Sequence, residues 1–382
     1  MAPAAARSAF AESQRGVILA AAIEPAEAAL DELRALAPRL DWDATVGLAL
    51  RLGVGPLVHR TVKRAHLEVP DAARKRLLGA YAVNAIRNDA IMAEVLRVTK
   101  ALDEAGIPSV PLKGAGLMAT LYPDVGLRTL SDIDLLVPRS RAREAGRVLV
   151  GAGYAHCDSG LLLERSELFH HHVTFTRGAR LGSFHLELHH RLITSFLSRD
   201  ESEAVLSRSR PVAYGAGQVR RLAAEDEVLY CCSHLAVHVA EPHFKWLVDL
   251  AELLRRGSVD WDVVVARARA TGAGTGLYEA LRRLDLVCVA VPPGVLARVR
   301  PPLHVRLAFA RLAPPAVALD DQRPGKWGQY ALGVLLQEGL VDRILFAGYA
   351  LGYKVWLERS RSVDDGGADG DDAAPGASGA SA

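Results

Sequence analysis

The chain has 382 residues; half are hydrophobic and 24% are charged, a balance typical of a globular protein with one large domain or two ordinary ones. Its 46 Lys and Arg against 44 Asp and Glu leave a net charge of +2, so the composition does not indicate a nucleic-acid partner, which usually requires a strong basic excess. The four cysteines lack metal-site spacing, and no apolar segment reaches the length of a membrane span, so we predict reduced thiols and a cytoplasmic location.

The predicted elements begin with helices. After a flexible N-terminus, residues 1–16, apolar residues at three- and four-residue spacing predict a helical region over 17–105. Its clearest segments are Glu24–Ala35 and Ala72–Asp103. Pro and Gly residues mark the breaks between these helices.

The pattern changes at residue 106, where short β-like runs begin and predict a small α/β core over 106–215. The helix Arg141–Ala152, which is closed by Gly153, lies within this core. The predicted strands are Ile107–Leu112, Asp132–Val137, His172–Thr176 and Ser183–His189.

The last part of the chain is predicted to be helical again over 216–360, followed by a disordered tail, 361–382, that is rich in Asp, Gly, Ala and Ser. The predicted fold class is therefore α+β. A small mixed β-sheet core lies between N-terminal helices and a C-terminal α-helical region.

The strongest chemical pattern is the pair Asp132 and Asp134 in the predicted strand Asp132–Val137. Side chains two residues apart in a strand share a face, with Cα atoms about 6–7 Å apart. Two carboxylates this close repel each other unless a cation neutralises them, and Mg²⁺ prefers carboxylate and phosphate oxygens. An Asp pair that merely ends a surface strand is the alternative, and the pair alone does not decide between the two.

A second pattern precedes this pair. Lys113-Gly114-Ala115-Gly116 lies where a predicted strand passes into a helix. Small residues there let backbone N–H groups approach a phosphate, and Lys113 adds a positive charge. The Walker A spacing is absent, and ordinary turn geometry explains most such glycines.

Together these residues carry a family resemblance. Leu112-Lys113-Gly114, Tyr122-Pro123-Asp124, Arg128 and Ser131 to Val137 resemble the uncharacterised nucleotidyltransferase family of the DNA-polymerase-β-like superfamily. The resemblance implies that Gly114 and Ala115 occupy the Gly-rich turn, and that Asp132 and Asp134 are metal ligands. The chain has Gly-Ala where the superfamily usually has Gly-Ser or Gly-Gly, so no hydroxyl contributes to phosphate binding.

The resemblance also implies a third carboxylate on a neighbouring strand, and Glu187 in Phe184–His189 fits this place, although Asp is more usual. Glu187 shares its strand face with His185 and His189, so Zn²⁺ bound by these three residues is an alternative. Whether Glu187 contacts a metal directly stays open.

The remaining polar residues have two interpretations each. Arg128 can clamp a triphosphate, or it can be a surface residue paired with Asp124. His170, His171 and His172 can supply at most two side chains to one ligand, and a structural role is the alternative. His234 and His238, one helical turn apart, and the following Trp246 and Asp249 either pack within the helical layer or line the nucleotide or acceptor pocket.

The sequence thus predicts a nucleotidyltransferase that uses Mg²⁺, or Mn²⁺, to transfer NMP from an NTP, ATP being the first choice, to an acceptor hydroxyl with release of pyrophosphate. Asp132, Asp134 and Glu187 are the predicted metal ligands and catalytic residues; Lys113, Gly114, Ala115 and Arg128 are predicted to hold the nucleotide. The acceptor, a protein, peptide or small molecule, is not identified. A catalytically inactive nucleotide-binding regulator and a metal-dependent phosphohydrolase are the alternatives.

Overall fold

The computed structural model describes residues 4–157, 172–179, 182–192, 202–239, 244–315, 319, 324–344 and 346–348. The strands are Val110–Pro111 (β1), Ile133–Leu136 (β2), Ala155–His156 (β3), His172–Ala179 (β4), Gly182–His189 (β5), Arg210–Tyr214 (β6) and Gly217–Arg221 (β7). The helices are Ala4–Ala20 (α1), Glu27–Leu36 (α2), Trp42–Arg51 (α3), Gly55–Arg64 (α4), Asp71–Glu104 (α5), Lys113–Met118 (α6), Ala142–Gly151 (α7), Ser202–Arg208 (α8), Ala224–Val237 (α9), Phe244–Arg256 (α10), Trp261–Thr271 (α11), Gly274–Leu281 (α12), Val295–Arg298 (α13), Leu303–Leu312 (α14) and Lys326–Leu336 (α15).

Five strands form one sheet in the order β1-β2-β5-β4-β3. Strands β2 and β5 are parallel, whereas the other neighbours are antiparallel. The sheet is therefore mixed and lies between N-terminal and C-terminal helices in the chain, which confirms the predicted α+β fold class. The structure adds a separate hairpin, β6–β7, which was not predicted because its strands are rich in Arg, Gln and Gly rather than in alternating apolar residues.

Alternation along β2 places two kinds of side chain on opposite faces of the sheet. Ile133, Leu135 and Val137 are buried in the main apolar core. Leu136 faces the other way and packs in a second cluster with Leu112 and Tyr230. This second cluster therefore covers the Leu136 end of the β2 face that carries Asp134, and Asp134 is only 3% exposed.

The main core runs without a break through all three parts of the chain, from Val46 in α3 through Ile133 in β2 to Leu247 in α10. A polar contact also joins the N-terminal and C-terminal helical regions, since Glu252 accepts a hydrogen bond of 3.2 Å from the backbone N–H of Ile23. The region boundaries at 105 and 215 stay predictions, and the predicted tail, 361–382, lies outside the described residues.

Helix α1 begins at Ala4, within the segment 1–16 for which the sequence predicts flexibility. Tertiary contacts hold its second half. Ser13 is buried and accepts a 3.0 Å hydrogen bond from Thr45, while Arg15 forms an ion pair of 2.6 Å with Glu32. These partners lie on α2 and α3, and local sequence patterns do not show such contacts.

None of the helices in the described ranges has the length and apolar content needed to cross a membrane. The cytoplasmic location stays a prediction.

Glu94 joins the long helix α5 to the sheet. Its carboxylate accepts hydrogen bonds from Tyr154 at 2.8 Å, from Arg97 at 2.6 Å and from Arg177 of β4 at 2.6 Å. Burial of Glu94 acts to raise its pKa, but these donors outweigh burial and lower the pKa to about 2. The folded state therefore favours the ionised carboxylate.

We expect Glu94→Gln to lower the free energy of unfolding by about 2 kcal/mol at pH 7, less than for a fully buried pair because Arg97 and Arg177 are partly exposed. The unfolded carboxyl has the higher pKa, about 4.3, so its stabilising effect is complete above that value and is lost as the pH falls toward 2. Urea unfolding of both proteins at pH 7 and at successively lower pH measures the difference. Glu104→Gln, an exposed change on the same helix, is the control. A deficit that stays constant down to pH 3 would contradict the assignment.

Candidate active site

Three carboxylates meet at one edge of the β2–β5 pair. Parallel pairing places Glu187 opposite Asp134, and Asp132 immediately precedes β2. One oxygen from each of the three residues lies within 4.8 Å of the others. The structure therefore brings together the three acidic residues that the sequence analysis singled out, across a separation of 53 residues between Asp134 and Glu187.

Lys113 places its ammonium group among these carboxylates. Its Nζ lies 2.9 Å from Asp134 Oδ1 and 4.0 Å from Glu187 Oε2. The backbone of Lys113 has a φ of +47°, in the left-handed region that non-glycine residues rarely adopt. The chain thus turns sharply between β1 and α6, at the point where Lys113 meets the carboxylates.

Charge and burial affect the two aspartates differently. Burial raises the pKa of Asp132, and the neighbouring charge of Asp134 raises it further. Burial also acts to raise the pKa of Asp134. The Lys113 ammonium and the His189 imidazole outweigh this effect and hold the pKa of Asp134 well below its ordinary value. Asp134 is therefore held ionised, whereas the ionised form of Asp132 is disfavoured unless a further cation is present.

Two histidines complete the polar cluster. His189 Nε2 lies 2.9 Å from Asp134 Oδ1 and 3.3 Å from Glu187 Oε2. His172 Nε2, from β4, lies 3.8 Å from Glu187 Oε1. Burial lowers the pKa of His172 to about 4, whereas for His189 the opposing effect of Asp134 and Glu187 outweighs burial and raises the pKa.

His185 does not join them. It is exposed and exchanges a 3.0 Å hydrogen bond with Ser183. The alternative zinc set of His185, Glu187 and His189 is therefore wrong, and within the described residues His172 takes the place that the strand pattern gave to His185. His170 and His171 lie outside the described residues.

Gly114 and Ala115 occupy the first turn of α6 but differ in their surroundings. Gly114 lines the cleft that contains the carboxylates. A Cβ atom there would lie 2.5 Å from Leu130 Cδ2 and 2.6 Å from Arg128 Nη1, so only glycine fits without displacing these side chains. The side chain of Ala115 is buried in the apolar core, which leaves only its backbone for a ligand.

Arg128 is buried rather than exposed. Its Nη2 lies 2.7 Å from Asp249 Oδ2, and Asp249 also accepts a 2.5 Å hydrogen bond from Tyr122. The interpretation of Arg128 as a surface residue paired with Asp124 is wrong, because Asp124 instead accepts a 2.6 Å hydrogen bond from Tyr81. Arg128 lines the cleft, but its guanidinium group is held by a carboxylate of α10.

Helices α9 and α10 form the opposite wall of the cleft. His234 of α9 and His238, which immediately follows α9, pack against Trp246 of α10, with ring centroids 4.5 Å and 5.2 Å from that of Trp246. Burial holds the pKa of His234 well below its ordinary value, so the ring is neutral. Lys245 lines the same wall. Both interpretations of the His-x-x-x-His pair apply, since these residues pack together and also line the cleft.

The sequence profile of the uncharacterised nucleotidyltransferase family matches residues 38–287, more than half of the chain. The chain belongs to this family. The matched range includes every residue of the carboxylate cluster and of the opposite wall, and family membership supports nucleotidyl transfer as the general activity.

A solved structure, an antigenic nucleotidyltransferase-like protein from Paracoccidioides brasiliensis, is 13% identical and covers 56% of this chain and 93% of its own, with a TM-score of 0.36. No curated protein matches this member of the family.

The sequence analysis did not single out Lys245 as a residue of the site region. It named Asp249 but assigned no partner to it, whereas in the structure Asp249 lies on α10 and holds Arg128. It also left His172 undecided, since that residue reaches Glu187 only through the pairing of β4 with β5, in which His172 lies opposite His189.

Proposed function

We propose that this member of the nucleotidyltransferase family transfers NMP from an NTP, ATP being the first choice, to an acceptor hydroxyl and releases pyrophosphate. The observation that carries the proposal is the meeting of Asp132, Asp134 and Glu187 beside Lys113 in one cleft. The acceptor is a protein, a peptide or a small molecule.

The donor set fits Mg²⁺, or Mn²⁺, because three carboxylates within 4.8 Å of one another supply the hard oxygen ligands that these ions prefer. The raised pKa of Asp132 supports the same fit, since a further cation relieves the repulsion between the aspartates. When bound, such ions neutralise phosphate charge and favour ionisation of the attacking hydroxyl. Asp132, Asp134 and Glu187 would hold them.

The other residues have proposed roles that follow from their positions. Lys113 contacts Asp134 in the structure, and it would exchange this contact for the phosphates when a cation occupies the carboxylates. The backbone of Gly114 and Ala115 would approach the triphosphate, which Gly114 permits because it has no side chain. Arg128 would line the cleft next to Gly114 and contribute its positive charge there. Its ion pair with Asp249 would keep the guanidinium group in place.

The proposed step conserves atoms and charge. The acceptor oxygen forms a bond to the α-phosphorus, the bond between the α-phosphorus and the bridging oxygen breaks, and pyrophosphate leaves with that electron pair. Glu187 takes the hydroxyl proton, because its side chain is 26% exposed and so can be reached from the cleft.

Incubation of the protein with α-labelled NTPs and Mg²⁺, alone and with cell extract, tests the proposal. We expect label to enter an acceptor and pyrophosphate to be released, and both to be lost in the double variant Asp132→Ala/Asp134→Ala. Glu68→Ala, which removes an exposed carboxylate away from the cleft, is the matched control.

Labelling by the double variant as strong as by wild type would refute the assignment. Release of free phosphate in place of pyrophosphate would instead identify a phosphohydrolase. ATP binding by calorimetry without turnover would identify a nucleotide-binding regulator.

A further inference from the structure

Two imidazoles lie beside the carboxylates, on the side of the cleft formed by β4. His172 of β4 and His189 of β5 are cross-strand partners, and their ring centroids are 5.1 Å apart. Glu187 lies between them, with Oε1 3.8 Å from His172 Nε2 and Oε2 3.3 Å from His189 Nε2. The side chains therefore converge from two strands on one point.

The spacing of these atoms is that of a metal site. Ligand atoms bound tetrahedrally to Zn²⁺ at about 2.0–2.1 Å lie roughly 3.3–3.5 Å from one another. The contacts of 3.3 Å and 3.8 Å bracket that value, and one ligand atom from each of the three residues lies within 4.8 Å of the others. Small rotations of the side chains would close the set around an ion.

The chemistry of the donors distinguishes this set from the three carboxylates. Mg²⁺ takes oxygen ligands, whereas imidazole nitrogen is a good ligand for Zn²⁺ and its first-row neighbours. Asp134 Oδ1 lies 2.9 Å from His189 Nε2, the nitrogen that faces Glu187, so it can be a fourth donor to the same ion. Strand pairing holds both histidines in place before any ion binds.

We propose that His172, Glu187 and His189 bind a divalent transition-metal ion, Zn²⁺ being the best match. This site lies next to the all-oxygen site of Asp132 and Asp134 and shares Glu187 with it. An ion there fixes the orientation of Glu187, so its binding and the binding of Mg²⁺ are coupled through one carboxylate. The two imidazoles, to which the proposed function assigns no role, distinguish this second site.

Competition between the metal-free protein and a chromophoric zinc chelator, with Mg²⁺ in excess, tests the proposal by binding alone. We expect wild type to hold one equivalent of Zn²⁺. His172→Ala and His189→Ala are each expected to weaken binding by at least about 100-fold, because loss of only an outer partner of a metal ligand already costs about 10–100-fold. Substitution with Co²⁺ gives a visible spectrum that reports nitrogen ligation, and we expect both variants to lose it.

The chain offers a matched control for each part of the set. His185→Ala removes a histidine of the same strand that bonds Ser183 instead of the cluster, and Zn²⁺ affinity is expected to stay unchanged. Asp132→Asn removes a ligand of the oxygen site and is expected to change Zn²⁺ affinity by less than about threefold. His172 is partly exposed, so its variant keeps the test valid if the fully buried His189 is needed for folding.

Zn²⁺ affinity equal to wild type in His172→Ala, or displacement of Zn²⁺ by Mg²⁺, would overturn the inference. Its failure is distinguishable from failure of the proposed function. A protein that transfers nucleotide but binds no Zn²⁺ overturns the metal site alone. A protein that binds Zn²⁺ through both histidines but transfers nothing supports the metal site and overturns the function.

Discussion

Asp132→Asn is expected to reduce nucleotidyl transfer by at least about 10³-fold without lowering the stability of the protein. The loss of activity follows from the loss of a metal ligand and of its charge where phosphate charge is neutralised. The effect on stability follows from repulsion, because burial and the charge of Asp134 already disfavour ionised Asp132 in the folded state. Asparagine has nearly the same shape and no charge, so we expect a gain of up to about 1 kcal/mol at pH 7.

Transfer rates and urea unfolding, measured on the same preparations of both proteins, test this pair of effects. Glu68→Gln, an exposed change of the same chemical type, is expected to alter neither. Such opposite responses of activity and stability are typical of a residue kept for function at a cost in stability. A variant that loses activity and stability in parallel would show that Asp132 is structural.

Asp249→Ala is expected to have the largest effect on stability, a loss of about 3–5 kcal/mol in the free energy of unfolding. Arg128 and Asp249 are 5% and 2% exposed, and their pair joins the loop before β2 to helix α10. Removal of the carboxylate leaves a buried guanidinium without its counter-charge, and it leaves the hydroxyl of Tyr122 without its acceptor.

A double variant isolates the charge effect. Arg128→Met/Asp249→Leu replaces the buried pair by apolar groups, so we expect it to be more stable than Asp249→Ala, because no unpaired charge remains. Denaturant unfolding of the single and double variants measures the difference. A loss below about 1 kcal/mol in Asp249→Ala would contradict the assignment of a buried ion pair.

The local pattern of the chain predicted the two acidic segments at β2 and β5 and the buried faces of these strands. Asp132 and Asp134 alternate with Ile133 and Leu135, and this period of two separates a polar face from a buried one whatever the neighbours are. The same alternation around Glu187 identified a second acidic strand. The helices before and after the sheet were predictable for the same reason, because apolar spacing of three and four residues is a local property.

The environment of Arg128 and of His172 was not predictable in this way. Each depends on a partner on another element. Arg128 is held by Asp249 of α10, and His172 reaches the cluster because it pairs with His189 across strands β4 and β5. The contacts of helix α1 within residues 4–16 were not predictable for the same reason, since Ser13 and Arg15 bond residues of α3 and α2. No local period encodes such contacts.

By itself, then, the sequence determined which strands carry Asp134 and Glu187, that Asp132 lies next to the first of them, and which strand faces are buried, because strand geometry depends on adjacent residues alone. The tertiary structure decided what surrounds these carboxylates. It placed Lys113 and His189 against Asp134, put His172 in the position that the sequence suggested for His185, and closed the cleft with Trp246. Side chains on separate elements meet only when the elements pack, and the packing of the whole core sets those distances.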